Sequence, residues 1–104
     1  MDRYVVTTRL KPGAEPEAEE LLSAGPPFDP ADTNLSAHAA YLTNDSVFLV
    51  FEGEDAHATA LQLAKKYALE VSRWQDLVWE LPSVTAEVPA GARCLYRWPD
   101  EPSE

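Results

Sequence analysis

With 104 residues the chain has the length of one domain, enough to bury one core without a metal or a disulfide. Eight basic residues against eighteen acidic ones give a formal charge of −10, which repels a phosphate backbone and an anionic membrane surface. The single cysteine, Cys94, excludes an internal disulfide and fits a reducing compartment.

Asp2 and Arg3 follow Met1 at once, so neither a signal peptide nor a membrane span is expected there, and the expected location is cytoplasmic. Tyr4 to Leu10 (YVVTTRL) alternates as a strand, and Lys11-Pro12-Gly13 ends it. Ala14 to Ala24 is expected to be a helix. Pro16 suits its first turn, Glu15, Glu17, Glu19 and Glu20 favour the positive end of its dipole, and Ala14, Ala18, Leu21 and Leu22 form an apolar stripe. Gly25 suits the position just past the helix, and Pro26-Pro27 prevents continuation. Pro26 to Asn34 (PPFDPADTN) is a loop, in which Asp29-Pro30 can start one helical turn. Phe28 either pins this loop to the core or faces a ligand.

Leu35 to Thr43 and Ser46 to Glu52 form the most informative stretch, an antiparallel hairpin turning at Asn44-Asp45. In Ser46–Glu52 both parities are apolar, with Val47, Leu49 and Phe51 against Phe48 and Val50, so the strand should be covered on both faces. Past Gly53, Asp55 is an acceptable N-cap. Ala60, Ala64, Tyr67, Val71, Trp74, Val78 and Leu81 then step by threes and fours, as one long helix or as two with a bend near Tyr67 to Leu69. Pro82 stops this region. Ser83 to Gly91 is expected to be a polar connector, Ala92 to Trp98 the last strand, and residues 99–104 an acidic flexible tail after a single domain over 1–98.

The order strand, helix, strand, strand, helix, strand predicts an α+β fold. It is that of a ferredoxin-like βαββαβ domain, with a four-stranded antiparallel sheet and both helices on one face. The other face needs cover, and a second copy of the chain is the simplest source, giving a two-fold homodimer packed sheet to sheet.

The segments YVVTTRLKPG, GPPFDP, SAHAAYLTND and SVFLVFEGED resemble the small dimeric α+β barrel proteins, with an actinobacterial cast in their Ala, Pro and acid usage. The resemblance covers about Tyr4 to Asp55 and, more loosely, the last strand, and its motifs are architectural. It implies a superfamily that includes cofactor-independent monooxygenases of polyketide-like phenols, muconolactone-type isomerases, haem-handling enzymes and proteins of no known activity. Function does not carry across such a group on fold alone.

Among residues able to do chemistry, His38 is the histidine inside a predicted strand, and an imidazole suits proton shuttling near neutral pH. The bland alternative is a hydrogen-bonded structural histidine. Tyr41, Tyr96 and Trp98 can wall an aromatic pocket or serve as core and dimer contacts. Arg97 can anchor an anion or remain a solvated edge charge. There is no CxxC, no HExxH and no spaced His/Cys set, so no metal is expected. With four glycines and no phosphate loop, no nucleotide or other cofactor is expected either. Two functions remain. One is a cofactor-free monooxygenase or isomerase acting on a small aromatic or polyketide-like molecule between sheet and helices, with His38 as acid/base, Tyr41 and Trp98 as walls, Arg97 as anchor and Phe28 nearby. The other is a non-catalytic dimeric module that binds a small apolar ligand or a protein.

Overall fold

The computed structural model describes residues 2–26, 28–76, 83–85 and 87–98. Strand β1 (Asp2–Arg9) leads through helix α1 (Glu15–Ser23) and a single 3₁₀ turn (Pro30–Asp32) to the hairpin β2 (Leu35–Leu42) and β3 (Ser46–Gly53). Helices α2 (Ala56–Lys66) and α3 (Ala68–Gln75) follow, then β4 (Ser83–Thr85) and β5 (Arg93–Trp98). The acidic tail expected at 99–104, the stripe positions Val78 and Leu81, and the helix stop at Pro82 lie outside the described residues.

The sheet is antiparallel and has five strands in the order β4-β1-β3-β2-β5, not the expected four. The expected last strand pairs with the outer edge of β2. The place beside β1 goes to Ser83–Thr85, inside the stretch expected to be a connector. Three residues are too few to show a period of two, which is why this strand does not announce itself.

The hairpin turns where expected, with the Thr43 N–H donating to the Ser46 carbonyl at 2.9 Å and the Ser46 N–H to the Thr43 hydroxyl at 3.1 Å. Paired residues share a face, so the register gives rows across the sheet. Tyr4, Phe51, His38 and Trp98 form one row, and Val6, Leu49, Ala40 and Tyr96 the next. Both rows face the helices. Between them in register, Val5, Val50, Ala39 and Arg97 belong to the opposite face. A bulge between Ala40 and Tyr41 inserts Leu95 and breaks the simple alternation of β5. Arg93 is thereby on the helix side, where its guanidinium meets Glu19 at 3.2 Å and Glu15 at 3.6 Å.

Helix α1 lays the expected stripe on the sheet: Ala18 is buried against Leu10, Leu42 and Val47, with Ala14, Leu21 and Leu22 beside it. Gly25 follows at φ +90°, a conformation that favours glycine, and a Cβ there would meet the Tyr96 ring at 3.3 Å. The long stripe is two helices, parted at Tyr67 (φ −112°, ψ 42°). Asp55 occupies the N-cap place of α2 but makes no side-chain cap, because it lies in the left-handed region at φ 56°. Asp29 does cap its turn, accepting from the Ala31 N–H at 3.0 Å.

The second face is covered within the chain. β4 and β5 lie on opposite edges, so the segment between them must cross the sheet. Four inter-strand steps are about 19 Å, and the span from Thr85 to Arg93 reaches about 27 Å when extended. Val88 packs there on Val5, Ala39, Phe48 and Val50, all of which are at most 8% exposed. The centre of this face thus has cover from within the chain, where a second copy was expected to supply it.

Candidate functional site

Between the helix face of the sheet and the three helices lies a cavity of about 430 Å³. Its floor is Tyr4, Val6, Thr8, His38, Ala40, Leu49 and Phe51, and its walls are Leu21 and Leu22 of α1, Ala60, Leu63 and Ala64 of α2, Phe28, Tyr67, Trp74 and Tyr96. The lining is overwhelmingly apolar. Glu70 and Arg73 of α3 complete it at an exposed edge. The volume lies in the range of small-molecule sites. A second hollow of about 320 Å³ at the β1–α1 turn is lined by Arg9, Lys11, Pro12, Gly13 and their neighbours. Those four residues are exposed and bring no buried polar group to it, so it is the weaker candidate.

His38 is the polar centre of the cavity. It is 4% exposed, and its Nδ1 lies 2.9 Å from the carbonyl oxygen of Val50 on β3. A carbonyl only accepts, so Nδ1 carries the hydrogen and donates, which leaves Nε2 of the neutral ring as an acceptor. Among the described residues no buried side-chain nitrogen or oxygen lacks a partner. Nε2 makes no hydrogen bond to any described residue, so it is not sealed in the core, and His38 lines the cavity. Burial lowers the His38 pKa to about 4, against a smaller opposing effect of the Val50 carbonyl. The ring is therefore neutral throughout the physiological range.

Aromatic rings surround it: Phe51 at 4.6 Å between centroids, Phe28 at 5.5 Å and Tyr96 at 5.9 Å, all tilted. Tyr67 continues the wall at 5.9 Å from Phe28. Burial, and then the Asp29 carboxylate, push the Tyr96 phenol up, so it too stays neutral. At the far end of the floor Tyr4 stacks on His57 at 4.5 Å.

Of the residues expected at a site, Phe28, His38 and Tyr96 meet in this cavity. Trp98 pairs with His38 across the strands but packs toward Leu35, Phe51, Ala56 and Ala60 and does not line the space. Tyr41 belongs to the opposite face, with the cluster under Val88, and Arg97 is exposed in the same register as Ala39. Thr8, Tyr67, Glu70 and Arg73 line the cavity as well and stand outside the expected site. The signal for Tyr67 was present, since it sits on the helical stripe with Ala60, Ala64 and Trp74, but such a stripe looks the same over a filled core and over a cavity.

Among the described residues no group of three or more His, Cys, Asp or Glu side chains is placed to hold a metal ion, and no helix is long and apolar enough to cross a membrane. The chain matches no protein-family model, no curated protein and no solved structure.

Proposed function

We propose that the protein binds a small, largely apolar aromatic molecule whose hydroxyl donates to Nε2 of His38. One observation carries this reading: a neutral imidazole, its acceptor nitrogen bonded to no described residue, in the floor of an aromatic-lined cavity of about 430 Å³. An apolar space with a few fixed polar groups is what a small ligand requires for both affinity and orientation.

The enzymatic alternative, an isomerase or a cofactor-free monooxygenase, requires His38 to take the ligand's proton. With His38 near 4 and a phenol near 10, that transfer is uphill by about six units, or about 8 kcal/mol. An acceptor that leaves the proton on the ligand has no such cost. Binding without proton transfer is therefore the better reading.

The fold supports a ferredoxin-like assignment with a strand added. The β1-α1-β2 crossover encloses β3, and the crossover from β3 through α2 and α3 to β4 encloses β1, which makes two interleaved split βαβ units. β5 is then an extension on the β2 edge.

Titration calorimetry with 2-naphthol and 2-methoxynaphthalene tests the binding reading. 2-Naphthol is expected to bind about 5–10-fold more tightly, the worth of one buried hydrogen bond. His38→Leu should erase the difference by weakening 2-naphthol alone. Equal binding of the two compounds to the native protein, or no binding of either at millimolar concentration, contradicts the proposal.

A further inference from the structure

The polar edge of the cavity carries two opposite charges. Glu70 and Arg73 stand three residues apart on α3, so they share a side of that helix, and both line the cavity. Glu70 in the first turn and Arg73 in the last suit the dipole of α3. That accounts for their places along the helix but not for the side they occupy. They make no ion pair with each other or with any other described residue. The edge thus offers a separate carboxylate and a separate guanidinium over an aromatic interior.

The charges restrict the ligand from both directions. A formal charge of −10, with Glu70 at the opening, disfavours a ligand carrying only negative charge. Arg73 disfavours one carrying only positive charge. A head group with both charges satisfies the pair, and a guanidinium binds a carboxylate in two-point fashion. The cavity's 430 Å³ is the liquid volume of about fourteen waters, which suits a molecule of about a dozen heavy atoms.

We propose that the ligand is a zwitterion of the hydroxylated aromatic α-amino acid class. Its ring hydroxyl meets His38, its carboxylate Arg73 and its ammonium Glu70. This rests on the cavity reading above and adds the chemistry of the head group.

Calorimetry on the full chain with four probes tests it: L-tyrosine, tyramine, 3-(4-hydroxyphenyl)propionate and p-cresol. L-Tyrosine is expected to bind at least 5-fold more tightly than each of the others. Arg73→Gln should abolish its advantage over tyramine, and Glu70→Gln its advantage over the propionate. Both side chains are exposed, so the variants are expected to keep the native near-UV circular dichroism spectrum. If L-tyrosine binds no better than p-cresol, or if its preference survives both substitutions, the head-group inference fails. The same holds if none of the four binds while 2-naphthol does, and in each of these cases the cavity reading stands. If 2-naphthol does not bind either, both readings fall.

Discussion

On one face of the sheet Val5, Ala39, Phe48 and Val50 are between 1% and 8% exposed beneath Val88. On the other, Val6 and Leu49 are only partly buried and look into an open cavity. The two faces share the same strands and nearly the same apolar content. They differ in what lies over them: a connector drawn close across one, and helices standing off the other. A filled face contributes stability and little else. The incompletely filled face, with a histidine acceptor set into it, is where a ligand has room and a polar group to meet.

Neighbouring residues of β3 give the sharpest test of that contrast. Phe48→Ala, on the filled face, is expected to cost about 3–5 kcal/mol of unfolding free energy by urea denaturation. Leu49→Ala, on the cavity face, should cost about 1–2 kcal/mol, because the space beside it is already open. Equal losses would mean that the cavity face is packed as tightly as the other.

Acid is the second lever. Between pH 6.5 and about 4 the unfolded chain protonates His38 while the folded chain does not, so the unfolded state binds more protons and stability falls as pH falls. The contribution is absent above pH 6.5 and reaches about 2 kcal/mol of destabilisation at pH 5. His38→Leu removes it, so the loss of stability between pH 7.5 and pH 5 should be smaller in the variant by that amount. An unchanged pH dependence would mean that burial does not hold the His38 pKa below its ordinary value.

Gly25→Ala tests how α1 and β5 close the cavity wall. A positive φ and a Cβ placed 3.3 Å from the Tyr96 ring should together cost about 1–2 kcal/mol. Arg93→Ala is expected to have the smallest effect, a shift in the urea midpoint within experimental scatter, because its bridges to Glu15 and Glu19 are solvent-exposed.

What the sequence shows of this molecule follows the same division. The hairpin at Asn44-Asp45, the stripe of α1 and the glycine after it are local signals, and each appears where its residues place it, whereas the stripe over Tyr67 fits one helix or two and the structure has two. The strand Ser83–Thr85 and the cover over Phe48 and Val50 are not local: a short edge strand and a crossing segment have no period to show. The site divides similarly. His38 and Phe28 come together through β2 and the loop before it, a short distance in sequence. Tyr41 and Arg97 fall on the other face, since parity alone does not say which face is which when both are apolar, and Trp98 packs beside the cavity without lining it. Glu70 and Arg73 look like ordinary surface charges until the cavity beneath them is known.

Ligand binding in the cavity depends on the state of one ring, which nitrogen-15 NMR of the His38 imidazole observes directly. A neutral ring with hydrogen on Nδ1 is expected down to about pH 4, with a shift confined to Nε2 when 2-naphthol is added. A ring that titrates near pH 6.5, or an Nε2 signal indifferent to 2-naphthol at saturating concentration, would contradict it.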